Sequence, residues 1–227
     1  GLNIINDEIY LCDKYDSVLF KYTLDGKVLQ MLGRRGMHSD TGCEKNGAPV
    51  PRAGGPFNQP DDFTVSPWGD YYVADGMRNA RVHRFDNGGH LIQSWGQWGS
   101  NPGDLKTPHA VLATPDRKLY VCDRMNNRVQ IFSPEGKVLG IWGDLQWPCN
   151  IVITPEGDFA IGEDPGKHGD PNSAGRQSGI RIYDKDGQSV SDLEVGPTHW
   201  MAIDSVGNIY TATHRSVIAA TWPIAGP

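Results

Sequence analysis

The strongest constraint on this chain is a phrase of roughly 40 residues that recurs along it. Residues 108–143 begin P-H-A-V-L-A-T-P-D-R-K-L-Y-V-C-D-R-M-N-N-R-V-Q, and residues 60–96 begin P-D-D-F-T-V-S-P-W-G-D-Y-Y-V-A-D-G-M-R-N-A-R-V. Weaker copies occupy 148–188 and the stretch from 198 to the end, and residues 1–33 resemble a copy without its start. A repeat of this length that holds several short strands is typical of a β-propeller.

The third copy shows why each repeat is interpreted as a propeller blade. Its apolar runs and alternations predict four strands, over 110–114, 118–122, 128–133 and 137–142. Leu119 and Val121 share one face of the second strand, with Tyr120 between them on the other face. Four short antiparallel strands form one blade, and blades must pack side by side because a single blade is unstable.

We therefore predict a single all-β propeller domain over residues 1–227. Its five visible blade motifs cover approximately 1–36, 57–97, 105–143, 145–188 and 193–227. Two stretches rich in Gly, Pro and charge interrupt the repeat as insertions, at 34–56 and 164–179. The first copy lacks its start and the last ends after its third strand, so we expect a chain truncated at both ends.

Composition excludes several classes of protein. A formal net charge of −6 argues against nucleic-acid binding, which needs a basic surface. No apolar run is long enough to span a bilayer. The four cysteines have no C-x-x-C spacing, so no zinc finger is indicated, and burial is the simplest role for each.

One position in the repeat carries the residues most relevant to chemistry. The residue just before the first strand of a blade faces the central axis, and it is Asp61, His109, Cys149 and His199 in the second to fifth copies. His109 and His199 could converge on a zinc ion with an open coordination position. Two ligands do not define a site, and each histidine could instead hydrogen-bond to backbone near the channel. Asp61 and Cys149 are candidates for substrate binding at the same position.

Four phrases carry a resemblance to a known family: P-H-A-V at 108–111, C-D-R-M-N-N-R-V-Q at 122–130, D-G-M-R-N-A-R-V at 75–82 and L-G-R at 32–34. They resemble NHL-repeat propellers, and most closely the peptidyl-α-hydroxyglycine α-amidating lyases. The similarity runs over nearly the whole chain. It implies an NHL-type propeller with six blades when complete. It also implies a zinc-dependent lyase that cleaves the C–N bond of a peptidyl-α-hydroxyglycine to a peptide amide and glyoxylate.

The resemblance also implies roles for particular residues. His109 and His199 match two of the family's three zinc-binding histidines, and the third would lie just upstream of Gly1. Arg124 matches a catalytic arginine, and we expect its planar guanidinium to hold the substrate carboxylate.

Two departures from the family pattern bear on activity. Met77 stands where the family has a catalytic tyrosine, and a thioether cannot exchange a proton. Another group takes the role, the chemistry differs, or activity is lost; the spare phenols Tyr15, Tyr72 and Tyr120 occupy positions that suggest packing. Trp200 replaces the family's calcium-linked aspartate, so a calcium ion lacks its matching ligand.

Three functions stay open on the sequence alone. The chain is a lyase acting on a peptide or small-molecule substrate, a zinc enzyme with a different substrate, or a non-catalytic NHL propeller that binds a peptide or protein partner. The alternating histidines favour an enzyme, whereas Met77 and Trp200 favour divergence. The resemblance alone suggests a secreted or periplasmic location, and four cysteines without pairing spacing argue against it.

Overall fold

The computed structural model describes residues 1–164 and 178–212, together with the backbone of 217–220. These residues form five antiparallel sheets, each built from strands consecutive in sequence. The first sheet contains β1 (Leu2–Ile5), β2 (Glu8–Asp13), β3 (Val18–Thr23) and β4 (Val28–Gly33). The second contains β5 (Asp62–Val65), β6 (Tyr71–Asp75), β7 (Arg81–Phe85) and β8 (Leu91–Trp95).

The remaining sheets follow the same order. The third contains β9 (Pro108–Thr114), β10 (Lys118–Asp123), β11 (Arg128–Phe132) and β12 (Val138–Trp142), with a 3₁₀ turn at Arg124–Asn126. The fourth contains β13 (Pro148–Ile153), β14 (Phe159–Glu163), β15 (Ile180–Tyr183) and β16 (Ser189–Leu193). The fifth contains β17 (Trp200–Ile203), β18 (Ile209–Ala212) and β19 (Val217–Ala220). The four strands predicted for the third copy are thus present, with ends shifted by at most two residues.

Alternation along each strand divides its side chains between two neighbouring sheets. Leu119 and Val121 pack in the apolar cluster shared with the second sheet, and Tyr120 packs in the cluster shared with the fourth. The ring of Tyr120 lies 4.4 Å from that of Phe159, centroid to centroid. Because the third sheet is covered by a neighbouring sheet on each face, its packing depends on those neighbours, and it would not be stable alone.

Tight turns connect consecutive strands of the sheets. Between β11 and β12, Gly136 adopts a φ of 79°, and its backbone N–H donates to the carbonyl oxygen of Ser133 at 2.9 Å. A Cβ at Gly136 would also lie 2.6 Å from the ring of Trp95 in the preceding sheet. Glycine is therefore required here both by the turn and by the contact between blades.

The first strand of every sheet lies on the inside of the assembly. Neighbouring inner strands contact one another, β5 with β9, β9 with β13, and β13 with β17. Strand β1 adjoins β5, where Asn3 Nδ2 donates to the carbonyl oxygen of Phe63 at 3.1 Å. Residues from β1, β5, β9, β13 and β17 line one central cavity of about 490 Å³. This arrangement around a common axis is that of a β-propeller.

A buried acid fixes the start of the inner strand in the three middle sheets. The second strand of each ends at Asp75, Asp123 or Glu163, all fully buried. Each carboxylate accepts a hydrogen bond from the backbone N–H of the segment before the inner strand, namely from Asn58 at 3.0 Å, Lys106 at 2.7 Å and Gln146 at 2.7 Å. These contacts position the axis-facing residues that follow.

The segment 34–56, predicted as an insertion, connects β4 to β5 through turns and bends. It is tied to the loop after β6: Gly47 N–H donates to the carbonyl oxygen of Met77 at 2.9 Å, and the Thr41 hydroxyl donates to that of Arg78 at 2.6 Å. Most of the second predicted insertion, 164–179, lies outside the described residues. Among the described residues, no helix has the length and apolar character that crossing a membrane requires.

Candidate metal and substrate site at the propeller axis

β-Bulges aim two of the axis-facing side chains. In the third sheet Cys122 pairs with Ala110 and Asp123 with Pro108, so His109 is left out of the ladder. In the fourth sheet Gly162 pairs with Asn150 and Glu163 with Pro148, which leaves out Cys149 in the same way. A bulge re-aims the unpaired residue. The sequence predicted these residues just before their strands, whereas the structure places them inside β9 and β13.

The structure brings the two predicted histidines together. The rings of His109 and His199 are 4.8 Å apart, centroid to centroid, and almost perpendicular at 89°. Both are buried, with 0% of His109 and 7% of His199 exposed. Cys149 lies with them: one ligand atom from each of the three residues falls within 4.8 Å of the other two.

Each imidazole uses Nδ1 for a hydrogen bond that orients the ring. His109 Nδ1 donates to the backbone carbonyl oxygen of Cys149 at 2.7 Å. His199 Nδ1 lies 2.8 Å from Asp164 Oδ2. Metal-binding histidines usually engage a carbonyl or carboxylate through the ring nitrogen that does not bind the metal. The sequence left open that each histidine hydrogen-bonds to backbone instead of binding a metal. His109 makes such a bond, but it uses Nδ1 and leaves Nε2 for a metal.

Electrostatics keep His109 neutral. Burial, the positive charge of Arg124 and the nearby His199 lower the pKa of His109 well below its usual value. With Nδ1 donating, Nε2 carries the lone pair, and this buried atom has no hydrogen-bond partner among the described residues. A buried acceptor without a partner is unfavourable unless a ligand occupies it. A neutral imidazole with a vacant Nε2 fits a zinc ligand.

Arg124 lies beside this cluster, in the turn that follows β10. Its guanidinium stacks over the ring of Trp147 at 4.8 Å and donates through Nη2 to the backbone carbonyl oxygen of Asp164 at 3.3 Å. Burial raises the pKa of the Cys149 thiol to about 12, and the charge of Arg124 opposes that effect. Arg124 Nε is buried without a partner among the described groups.

Asp61 occupies the corresponding position of the second sheet. Its side chain is almost fully buried, and Lys14 Nζ lies 3.2 Å from Oδ1. Burial raises the pKa of Asp61 to about 7, although Lys14 and Arg124 favour the charged form. Its other oxygen, Oδ2, has no hydrogen-bond partner among the described residues.

One rule relates the residues around the axis, and the sequence analysis missed it. The residue after the second strand of a sheet reaches the axis-facing residue of the next sheet, so that Lys14 contacts Asp61 and Asp164 contacts His199. At the equivalent place Gly76 leaves no room for a side chain, because a Cβ would lie 2.0 Å from the carbonyl oxygen of Pro108. In the sequence, the residue to look for is the one that directly follows the acid at the end of the second strand of each sheet.

The two positions that depart from the family pattern lie in different places. Met77 lies in the loop after β6, and Trp200 lines the central cavity. Met77 is buried beneath the segment 34–56, and its backbone N–H donates to the carbonyl oxygen of Gln59 at 3.4 Å. The Trp200 ring lies 5.3 Å from that of His109, and its indole offers no oxygen ligand for calcium. Tyr72 and Tyr120 are buried in clusters between sheets, and Tyr15 is 75% exposed.

The cavity begins directly beyond the axis-facing residues. Asp62, Asn150 and Trp200, which line it, each follow one of those residues in sequence. Apolar side chains, including Val111 and Ile151, form much of its lining.

No protein-family model matches the sequence. Curated relatives include peptidyl-glycine alpha-amidating monooxygenase A from Xenopus laevis, 40% identical over 85 residues that cover 35% of this chain and 9% of the relative. NHL repeat-containing protein 3 from Homo sapiens is 29% identical over 62% of this chain and 40% of its own length. Peptidyl-alpha-hydroxyglycine alpha-amidating lyase 1 from Drosophila melanogaster is 32% identical over 56% of this chain and 23% of its own. The chain spans less than half the length of each.

Solved structures support the architecture. Virginiamycin B lyase from Staphylococcus aureus superposes with a TM-score of 0.64 at 11% identity, covering 99% of this chain and 70% of that one. Hydrazine synthase from Kuenenia stuttgartiensis gives 0.61 at 15% identity, covering 97% and 55%. Similarity at this identity concerns the fold alone. The fold is that of an NHL-type β-propeller. Within that class, the sequence resembles the peptidyl-α-hydroxyglycine α-amidating lyases.

Proposed function

We propose that this propeller is a metal-dependent carbon–nitrogen lyase that converts a peptidyl-α-hydroxyglycine to a peptide amide and glyoxylate. The observation that carries the proposal is the pairing of His109 and His199 at the axis, each oriented through Nδ1, beside the partly unsatisfied guanidinium of Arg124. Similarity to the lyase from Drosophila melanogaster supports the choice of reaction.

His109 and His199 would hold the metal, which we take to be zinc because imidazole ligands suit it. Bound zinc supplies a Lewis acid that lowers the pKa of a hydroxyl, as it does for water. The further ligand implied by the resemblance would precede Gly1 and is outside this sequence. Burial keeps the imidazole of His109 neutral by lowering its pKa, and the neutral form is the one that binds a metal.

Arg124 would bind the carboxylate of the substrate. A guanidinium presents several N–H donors in one plane, a geometry that matches a carboxylate. One Nη2 donor is held by the backbone of Asp164, and the ring of Trp147 supports the plane, so the group is oriented before substrate arrives. Its buried Nε has no partner among the described residues and is available to donate.

Asp61 would take the proton-transfer role that Met77 cannot perform. Its carboxyl group is buried near Arg124, it has a vacant oxygen, and its pKa of about 7 suits exchange of a proton near neutral pH. In the reaction the hydroxyl of the substrate loses its proton to Asp61 and becomes the aldehyde carbonyl of glyoxylate. The C–N bond breaks with its electron pair on the amide nitrogen, and that nitrogen takes up the proton.

The test is glyoxylate release from an α-hydroxyglycine-terminated peptide, with zinc supplied and with a chelator added. We expect turnover above the spontaneous rate that the chelator abolishes. Arg124→Gln should lower kcat/KM about a hundredfold, because an unclamped carboxylate misplaces the reacting atoms. Arg117→Gln is the matched control, since Arg117 stacks on Trp68 at 4.7 Å in the same way but is exposed in the turn between β9 and β10.

Absence of turnover in folded, zinc-loaded protein would remove the amidating assignment. A zinc enzyme for another substrate and a non-catalytic propeller would then be the functions to test. Equal losses in Arg124→Gln and Arg117→Gln would contradict the role given to Arg124.

A further inference from the structure

We infer that Cys149 is itself a metal ligand, so that β9, β13 and β17 each supply one donor to a His–Cys–His centre. This inference rests on the metal binding in the proposed function and goes beyond it, because the resemblance implies histidines alone. It also replaces the role in substrate binding that the sequence analysis gave to Cys149. The centre is then assembled from three consecutive sheets rather than from alternate ones.

Geometry brings the three donor atoms together. They lie within 4.8 Å of one another, and all three residues are buried. A tetrahedral zinc with bonds of 2.0–2.3 Å separates its ligand atoms by roughly 3.5 Å, so small side-chain rotations would complete the site. Cys149 and His109 are both released from their ladders by equivalent bulges, which aim them to the same side of the sheets.

Each donor has its own supporting group, as in established metal centres. The carbonyl oxygen of Cys149 accepts from His109 Nδ1 at 2.7 Å, and the carboxylate of Asp164 lies 2.8 Å from His199 Nδ1. Burial raises the pKa of the Cys149 thiol, and the positive charge of Arg124 beside the sulfur opposes that rise. A bound metal ion deprotonates a coordinating thiol outright. The fully buried Nε2 of His109, which has no hydrogen-bond partner among the described residues, is a separate observation that points to a ligand at this place.

The donor set defines the class of metal. Two imidazoles and a thiolate suit zinc or cobalt and exclude magnesium and calcium, which take oxygen ligands. With Cys149 in place of the further ligand that the resemblance implies, three protein ligands leave a tetrahedral ion one open position, the arrangement that catalytic zinc sites share.

Cobalt(II) reports on sulfur ligation directly, because a thiolate–cobalt bond gives a charge-transfer band in the near ultraviolet. We expect metal-stripped wild-type protein titrated with cobalt(II) to develop this band at one equivalent. Cys149→Ser should lose the band and weaken zinc binding by more than the roughly 10–100-fold typical of losing an outer-shell partner. Cys43→Ser is the control, since Cys43 is buried elsewhere and its thiol donates to carbonyl oxygens of Lys45 and Ala48, which a hydroxyl can replace.

A second measurement needs no variant. X-ray absorption of the zinc-loaded wild-type protein should show a sulfur scatterer at about 2.3 Å besides nitrogen at about 2.0 Å. A shell of nitrogen and oxygen only, or a charge-transfer band that survives in Cys149→Ser, would overturn the inference.

The two proposals fail in different ways. Sulfur ligation without glyoxylate release would leave Cys149 as a ligand and remove the lyase assignment. Glyoxylate release from a zinc centre without sulfur would keep the lyase and overturn ligation by Cys149.

Discussion

His109 Nδ1 donates to the backbone carbonyl oxygen of Cys149 across 2.7 Å, linking the inner strands of two neighbouring sheets. This single bond fixes the tautomer of His109 and aims Nε2 at the axis. It also ties the orientation of one donor to the backbone that carries another. The site is therefore a product of how consecutive sheets pack, and its chemistry depends on contacts between blades.

Removing the carboxylate behind His199 should weaken metal binding without removing a ligand. In Asp164→Asn the side chain is nearly the same size but carries no charge to hold the Nδ1 proton of His199, 2.8 Å away. We expect zinc affinity to fall about 10–100-fold in competition with a chelator. Asp186→Asn is the control, because Asp186 is exposed and pairs with Lys185. Equal affinities in the two variants would show that Asp164 does not support the metal.

Close approach of two blades at the axis should make Gly76 intolerant of a side chain. A Cβ there would lie 2.0 Å from the carbonyl oxygen of Pro108, at the base of the strand that carries His109. We expect Gly76→Ala to lower the free energy of unfolding, measured by urea denaturation, by about 1–3 kcal/mol. Gly143→Ala meets no atom within 4 Å and should change it by less than about 1 kcal/mol. Similar losses in both would contradict the crowding described at Gly76.

The carboxylate of Asp123 should be a large contributor to stability. It accepts hydrogen bonds from the Lys106 backbone at 2.7 Å and from Arg128 Nε at 2.7 Å, and it is fully buried. Asp123→Ala leaves these donors unpaired, and we expect a loss of about 3–5 kcal/mol by chemical denaturation.

The exposed pair of Asp116 and Lys118, 2.7 Å apart, provides the comparison. Asp116→Ala should cost at most about 1 kcal/mol, because solvent screens an exposed ion pair. A loss of that size in Asp123→Ala would show that the buried network adds little.

Asp61 should make the stability of the metal-free protein depend on pH. Burial raises its pKa to about 7 in the folded state, so between its ordinary pKa and pH 7 the folded protein holds a proton that the unfolded chain has released. The protonated carboxyl group of Asp61 therefore stabilises the folded protein at low pH, and this contribution is lost as the pH rises to about 7. Asp61→Asn lacks that titration. The difference in unfolding free energy, wild type minus variant, should therefore fall by on the order of a few kcal/mol from pH 4 to pH 8.

Urea unfolding of both proteins at several pH values measures this difference, and the other buried acids cancel in it. Parallel curves across the range would show that the carboxyl group of Asp61 titrates in its ordinary range.

Much of the fold could be predicted because strand alternation has a period of two residues and repeats in every copy. The opposite faces of Leu119 and Tyr120 follow from that period alone. The meeting of His109 and His199 followed from their shared place in the repeat. The bulge at Cys149 could not be predicted, because it depends on pairing with Glu163 and Gly162 across the sheet.

The support for His199 was missed for a different reason. Asp164 opens a stretch rich in Gly and Pro, so the sequence indicated an insertion there rather than a functional residue. Only the packing of β14 against the next sheet brings its carboxylate to the imidazole. Residues that follow strand-terminating acids therefore merit attention in repeats of this kind.

The central claim is a metal centre at the propeller axis, and anomalous scattering at the zinc absorption edge tests it most directly. In crystals grown with zinc, we predict an anomalous peak bonded to His109 Nε2, Cys149 Sγ and His199. Zinc bound elsewhere in the crystal, with no peak between β9, β13 and β17, would contradict the account.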